Sequence, residues 1–400
     1  MQDDCITIAL GLPELRVVGE RETDGEIEVE VEYRRQVAMC PRCGQMTAKV
    51  HSTCAQTKRD RRLWDKPVYL ILRKRRFRCL SCGKVFTEPD AVCGSRRRTS
   101  ERFRRQLGQE AINQPVRHVA RRERVGEALV RRCFTEEAGR LIGAPFKPTS
   151  ARILGLDEFS VKKGRVYDTA AVDLEGKQII GVVSGHRQKE VEDFFDSLPE
   201  PEKVQVVVMD MYEPFRQAVE MCLPQAEVVA DKFHVLMHVH QALDQVRTSL
   251  QPAKGRRGEL FHARYLLLQA LERLTPQAYA RLMEVLRQYP MLDRAWRLKE
   301  AFRAWYGCGN RAEAEARLAE WEDAVREHGP EPFKGLLPML RTWRKEILNY
   351  FDHRYTNGFL EGKNNRIKVI KRVAYGYRNA ANFRQRIILT NRREPYAKAT

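Results

Sequence analysis

Four cysteines in the first hundred residues of this 400-residue chain restrict how that part can fold. Cys40 and Cys43 form one C-x2-C pair, and Cys79 and Cys82 form a second. A glycine follows each pair, and glycine permits the tight backbone turn of a zinc knuckle. One Zn²⁺ bound by all four thiolates would bring the two pairs together, so the segment between them must contain strands that fold back. Residues 68–77 are one candidate strand.

A redox or disulfide role is the alternative for these cysteines. It is the weaker one, because the sequence has no recognisable signal peptide and cytosolic thiols stay reduced. We therefore expect a structural Zn²⁺ site in an N-terminal domain at residues 1–95. Five further cysteines lack a comparable paired motif and are expected to be packed thiols: Cys54, Cys93, Cys133, Cys222 and Cys308.

Three separated segments each present an acidic residue in a setting suited to metal-dependent phosphodiester chemistry. Asp157 and Asp210 each stand at the end of an apolar run, which predicts that both lie on or beside buried strands. Asn357-Gly358 predicts a turn, and the helix expected after it carries Glu361. Carboxylates that share a cleft can hold divalent ions for such a reaction. Taken alone, however, a strand-terminal aspartate is more often a turn former or a helix cap.

The segment around the first two acids predicts alternating strands and helices. The expected strands are 152–161, 166–174, 177–184 and the runs that end at Asp210 and Asp231. The expected helices between them are 189–198 and 214–222. This order suits a mixed sheet covered by helices.

Residues 241–349 have long, charged, amphipathic patterns that predict a helical insertion within the mixed domain. Residues 307–310 are the expected interruption. The tryptophans of this segment are expected to fill a helical core, and stacking on DNA is the alternative: Trp296, Trp305, Trp321 and Trp343.

Between the cysteine motifs and the acids, three helices are predicted at residues 99–113, 116–123 and 126–134. The short break at Arg124-Val125 suits a helix-turn-helix domain at residues 96–142, whose last helix could enter the major groove of DNA. A plain three-helix packing unit is the alternative.

Charge favours the DNA-binding interpretation. Residues 34–132 contain 27 Lys or Arg and 8 Asp or Glu, so their net charge of +19 equals that of the whole chain. Residues 362–393 contain 10 basic residues and no acidic ones. A charge run is often only a solvated face, but these two runs adjoin the predicted DNA-binding helices and Glu361. The expected DNA contacts are Arg121, Arg122, Arg131, Arg132, Arg366, Lys368, Lys371 and Arg372.

Longer phrases of the sequence resemble a known family. The segments LGLDEFSVKKGRVYDTAAVDLEGKQIIG, MDMYEPFRQAV, VVADKFHV and YTNGFLEGKNNRIKVIKRVAYGYRNAANFRQRI look like those of the DDE transposases of the insertion-sequence ISL-three family. The resemblance implies a ribonuclease-H-like core at residues 150–240 and 350–393, in which Asp157, Asp210 and Glu361 fall on the catalytic triad. It also implies Mg²⁺ or Mn²⁺ as cofactor and supporting roles for Asp231 and His234 in the DKFH phrase.

The expected protein is an α+β multidomain chain, with a zinc-binding β module, a helix-turn-helix and a ribonuclease-H-like α/β core that contains the helical insertion at 241–349. As a transposase it would bind terminal inverted repeats and target DNA, and would cleave and join strands as a homodimer or larger assembly. Its expected location is the nucleoid in the cytoplasm of a bacterium or archaeon. The alternatives are a catalytically inactive DNA-binding regulator and a ribonuclease-H-like nuclease or resolvase. No apolar run is long enough to predict a membrane span.

Overall fold

A computed structural model describes residues 10–23, 25–94, 97–143, 146–162, 166–251, 258–374, 377 and 379–391. The chain divides into two compact units. The N-terminal unit comprises Met1–Phe146 and Lys371–Thr390, and the second unit comprises Lys147–Ile370 with Asn391–Thr400.

The N-terminal unit begins with β strands around the cysteine motifs. They are β1 (Leu15–Glu22), β2 (Ile27–Tyr33), β3 (Ala38–Met39), β4 (Met46–Thr47), β5 (Val50–Leu63), β6 (Lys66–Arg78) and β7 (Val85–Thr87). β1, β2, β6 and β5 are successive neighbours in one sheet, β7 pairs with β6, and β3 pairs with β4. The alternating sequence of β2 buries Ile27, Val29 and Val31 against Leu70 and Leu72 of β6 and turns the glutamates outward.

Three helices follow the strands: α1 (Glu101–Asn113), α2 (Val116–Arg122) and α3 (Glu127–Ile142). They confirm the three predicted helices, although α3 continues beyond the expected end at residue 134. α1 begins after Ser100 because the Ser100 hydroxyl caps it, accepting a hydrogen bond from the Phe103 amide. Phe103, Leu107 and Val130 are fully buried in the core that the helices share.

The second unit contains a five-stranded sheet. Its strands are β8 (Ile153–Lys162), β9 (Val166–Asp173), β10 (Gln178–Val183), β11 (Val206–Met209) and β12 (Glu227–Ala230). The order is β10-β9-β8-β11-β12. β8, β9 and β10 are antiparallel, and β11 runs parallel to both β8 and β12. The near-continuous apolar residues of β11 are buried, as expected for a strand with two parallel neighbours.

Helices make up the rest of the second unit. They are α4 (Gln188–Asp196), α5 (Glu213–Cys222), α6 (Lys232–Ser249), α7 (Glu259–Leu268), α8 (Pro276–Gln288), α9 (Pro290–Trp305), α10 (Arg311–His328), α11 (Glu331–Lys334), α12 (Leu337–Thr342), α13 (Arg344–Leu348), α14 (Tyr350–His353) and α15 (Gly358–Val373). The expected interruption at 307–310 separates α9 from α10. All four tryptophans of this region are buried, and the indole N–H groups of Trp305 and Trp321 donate to the carbonyls of Ala314 and Leu298, so they belong to the helical core. None of the helices in the described ranges is both long and apolar enough to cross a membrane.

The last helix, α16 (Ala380–Asn391), differs from the predicted domain boundaries. Residues 350–393 are expected from the sequence to lie in the catalytic core, whereas residues 371–390 group with the N-terminal unit. Arg386 explains this grouping, because its guanidinium donates to the Ala111 carbonyl of α1 and lies 5.2 Å from the ring centroid of Phe134 in α3. At the other boundary, part of the Pro/Gly-containing segment 143–150 lies outside the described residues.

Candidate metal centres and basic surfaces

The four predicted zinc ligands converge in the N-terminal unit. The Sγ atoms of Cys40 and Cys82 are 3.7 Å apart, and those of Cys43 and Cys79 are 3.5 Å apart. All four sulfurs lie within 4.8 Å of one another. A tetrahedral Zn²⁺ site with Zn–S bonds of about 2.3 Å places its sulfurs about 3.8 Å apart. The geometry therefore fits a structural zinc ion held by four thiolates.

Two matching backbone turns position these sulfurs. The Gly44 amide donates to the Cys40 carbonyl at 2.9 Å, and the Gly83 amide donates to the Cys79 carbonyl at 3.0 Å. Both glycines adopt positive φ angles, +73° and +71°, which other residues rarely adopt. In the second turn, the backbone N–H of Cys82 is the main cause that lowers the pKa of the Cys79 thiol to about 6. This turn therefore favours the thiolate form that binds metal.

One of the remaining cysteines corrects the sequence prediction. Cys93, Cys133 and Cys308 are buried and Cys222 is half-buried, but Cys54 is exposed. Cys54 lies in the first half of β5, where the described side chains face solvent. It is therefore not a packed thiol.

Asp157 and Asp210 come together in the second unit. Asp157 lies on β8, and Asp210 follows the last residue of the neighbouring strand β11. The parallel register pairs Val208 with Gly155, so the two aspartates, each two residues further on, stand at the same level. One carboxylate oxygen of each lies within 4.8 Å of the other and of a ring nitrogen of His234. Two adjacent strands thus bring two carboxylates together, and helix α6 adds one imidazole.

His234 lies in the first turn of α6, and this helix begins directly after the buried Asp231. Its Nδ1 is 2.6 Å from Asp210 Oδ1 and 3.1 Å from Asp231 Oδ2. Burial disfavours the charged ring, but the two carboxylates outweigh that effect and raise the pKa of His234 to about 10. Without a bound cation, His234 is therefore protonated and offsets part of the negative charge.

The electrostatics of Asp157 indicate that the site suits a cation. Burial, followed by the charge of Asp210, raises the pKa of Asp157 to about 7. Asn364 lies beside it, and its Oδ1 is buried without a hydrogen-bond partner among the described residues. A divalent cation would stabilise both ionised carboxylates and could accept an amide oxygen, so the donor set fits one.

Two asparagines missed by the sequence analysis complete this site. Asn357 is 3% exposed, and its side-chain amide donates to the carbonyls of Leu156 at 2.9 Å and Val208 at 3.3 Å. Its backbone amide donates to Asp231 Oδ1 at 2.9 Å. Asn364 Nδ2 donates to Asp157 Oδ2 at 2.6 Å. Both lie in the long phrase around Glu361, but no local pattern indicates contacts with strands 150 to 200 residues away.

Glu361 is placed differently from the two aspartates. It is exposed in the first turn of α15, and in the described residues it is not part of the cluster formed by Asp157, Asp210 and His234. It precedes Asn364 by three residues, and residues three apart share one face of a helix. Glu361 therefore lies about one helical turn before Asn364, the residue that contacts Asp157.

The predicted DNA-contacting cations differ in their exposure and in whether they form ion pairs. Arg121, Arg122, Arg131 and Arg132 are exposed on α2 and α3. Arg122, however, pairs with Glu110 and Glu123, and Arg131 pairs with Glu127 at 2.5 Å. On α15, Lys371 is half-buried and three cations are exposed: Arg366, Lys368 and Arg372.

Comparison with known proteins gives concordant results. The family model of the ISL3-type DDE transposases matches residues 154–387. This match covers more than half of the chain. A model of the zinc finger of the transposases of IS204, IS1001, IS1096 and IS1165 matches residues 36–82. The transposase of insertion sequence element IS1001 from Bordetella parapertussis is 29% identical over 357 residues, which cover 87% of each chain. The transposase of element IS1557 from Mycobacterium tuberculosis is 28% identical over 255 residues, or 57% of each chain.

The two family models cover both metal centres. The zinc-finger model ends at Cys82 and includes all four cysteine ligands, so the N-terminal cluster is a zinc ribbon. The transposase model includes Asp157, Asp210 and Glu361. The chain therefore belongs to the ISL-three (ISL3) family of DDE transposases.

Proposed function

We propose that the N-terminal unit binds the terminal inverted repeats of an insertion sequence and that the acidic site of the second unit cleaves and joins DNA strands. The observation that carries the catalytic part is the register of β8 and β11, which holds Asp157 and Asp210 level on adjacent strands. Rigid strands give the precision that a metal-dependent phosphodiester reaction needs.

Asp157 and Asp210 would hold the catalytic divalent ion, Mg²⁺ or Mn²⁺, and Glu361 would complete the acidic triad from α15. Such ions activate the attacking oxygen and stabilise the leaving oxygen of the phosphodiester. Asn357 holds the start of α15 on both strands, and the Asn364 amide orients Asp157. Asp231 in turn orients Asn357 and His234. The nucleophiles would be water for cleavage and a DNA 3′-hydroxyl for joining.

The strand order supports a ribonuclease-H-like core. Three antiparallel strands in the order β10-β9-β8, extended by two parallel strands, place the first and fourth strands of the unit side by side. In the N-terminal unit, the three helices and the short α2–α3 turn support a helix-turn-helix with α3 in the major groove. Arg121, Arg132, Arg366 and Lys368 would contact DNA phosphates.

Cleavage of labelled DNA tests this proposal. The substrate is a duplex that carries the inverted repeat flanking the gene, incubated with Mg²⁺ or with Ca²⁺, and the comparison is with Glu361→Gln. We expect cutting at the repeat boundary that requires both Mg²⁺ and Glu361. Binding without cutting by the unaltered protein would favour a DNA-binding regulator, and cutting without dependence on the repeat would favour a general nuclease or resolvase.

Transposition joins two ends, so we also propose that a homodimer or larger assembly forms on DNA. The molar mass of the complex with repeat DNA, measured by light scattering, tests this. A complex with one protein chain per two ends would contradict it.

A further inference from the structure

A basic cavity in the N-terminal unit has no role in the function described above. Its volume is about 700 Å³, and it lies between β5, the segment before α1 and the turn between α2 and α3. The side chains important for its chemistry are Arg59, Tyr69, Arg98 and Arg124. None of the three arginines belongs to the set that charge patterning selected for DNA contact.

Arg59 connects the walls of the cavity. The Arg59 amide donates to the Arg98 carbonyl, and the Ser100 amide donates to the Arg59 carbonyl, both at 2.9 Å. The Arg59 guanidinium donates to the carbonyls of Asp60 at 2.8 Å and Glu123 at 3.4 Å. Strand, connecting segment and helical turn are thus held together before any ligand arrives.

The charge of this cavity is positive, although the carboxylates of Glu123 and Asp60 lie close enough to Arg59 to favour its charged form. The hydrogen bonds of the Arg59 guanidinium go to backbone carbonyls, and its cation also lies 5.3 Å from the centroid of the Tyr69 ring. Lys58, by contrast, is paired with Asp90 at 3.2 Å. Arg98 and Arg124 are exposed, and neither forms an ion pair within the described ranges of the chain. Two free guanidinium groups therefore flank a cavity that already contains a buried cation.

We propose that this cavity binds a backbone phosphate of the DNA held by the N-terminal unit, with Arg98 and Arg124 as its ligands. The inference rests on the proposed DNA-binding function of that unit. Guanidinium groups bind phosphate oxygens through pairs of N–H donors. Arg124 lies just before α3, and phosphate contacts at this position fix the orientation of a helix in the major groove.

The test measures DNA affinity by fluorescence anisotropy across a series of salt concentrations. The full-length protein is compared with Arg98→Gln, Arg124→Gln and the double variant, on a duplex carrying the terminal inverted repeat. Loss of one phosphate contact reduces the slope of log affinity against log salt by about 0.9. We expect a reduction of about this size in the double variant. Arg21→Gln, an exposed arginine of β1 that lies 3.9 Å from Glu28, is the matched control and should keep the full slope.

Two comparisons separate failure of this inference from failure of the proposed function. A steep slope for the unaltered protein that is equal in the double variant would overturn the cavity assignment alone. An unaltered protein without salt-dependent DNA binding would overturn the proposed DNA-binding function as well. A scrambled duplex of the same length gives a third result: phosphate contacts carry no sequence information, so the loss should be equal on both duplexes. A loss confined to the repeat would indicate base reading and would refute the phosphate assignment.

Discussion

Replacement of Asn357 by alanine removes the side chain that connects α15 to the two strands of the acidic site. Its amide donates to the carbonyls of Leu156, the residue before Asp157, and of Val208, two residues before Asp210. The backbone amide of residue 357 would still donate to Asp231. The substitution thus removes two buried hydrogen bonds and leaves the turn itself intact.

The magnitude follows from the burial of these groups. A buried polar group that loses its partner costs about 1–3 kcal/mol. With two carbonyls affected, we expect the free energy of unfolding of the second unit to fall by about 3 kcal/mol. For a unit of this size that corresponds to a fall of about 6–12 °C in melting temperature. Activity should fall further, because the first turn of α15 carries Glu361, the proposed third acid of the site.

Melting measured by calorimetry and repeat cleavage measured well below the melting temperature check the two parts separately. Asn365→Ala is the matched control, because Asn365 is an exposed asparagine of the same helix. It should change stability by less than about 0.5 kcal/mol. Unchanged melting of Asn357→Ala would refute the structural contribution. Normal cleavage by a folded but less stable Asn357→Ala would refute the idea that Asn357 positions α15 for catalysis.

Further substitutions test each part of the molecule. Asp157→Asn should abolish repeat cleavage while repeat binding, measured by anisotropy, stays within about twofold; equal loss of both would contradict its role. Cys79→Ser should release zinc, measured by atomic absorption, and impair DNA binding and folding of the N-terminal unit. Gly108→Ala should destabilise that unit by about 1–3 kcal/mol in denaturant titration, because a Cβ atom would lie 2.6 Å from the Cys133 carbonyl oxygen. Burial opposes ionisation of Asp60, but the Arg102 side chain holds its pKa below the usual value for an aspartate. Stability should therefore fall as the pH drops below about 4, and Asp60→Asn should reduce that pH dependence.

The sequence predicted those features whose cause is local. The cysteine spacing specified two knuckles, since each depends on a glycine in the same short segment. The apolar runs specified the strands before Asp157 and Asp210, because buried parallel strands need continuous apolar residues. Asn357 and Asn364 could not be identified in this way. Their importance comes from partners more than 100 residues away, and an asparagine after a tyrosine-threonine pair reads only as a turn former.

The domain boundary at residue 371 escaped prediction for a related reason. The last turn of α15 continues across it, so neither composition nor a turn signal marks the change. Contacts of the following helix mark it instead, among them those of Arg386, whose buried guanidinium contacts α1 and α3. In the sequence this residue is one more cation in a basic run.

The number of arginines in a segment does not show which of them can bind DNA. The net charge of +19 in residues 34–132 predicts a polyanion partner, but it does not identify which cations are available to one. Arg75 is buried against Glu88 at 2.8 Å, and Arg104 is buried against Glu136 at 2.6 Å, so both stabilise the fold and offer little to DNA. Arg98 and Arg124 are exposed and form no ion pair within the described ranges. Both line the cavity whose walls Arg59 connects. Because burial and pairing decide which charges remain for phosphate, the DNA-contacting set is a property of the folded unit rather than of the charge run.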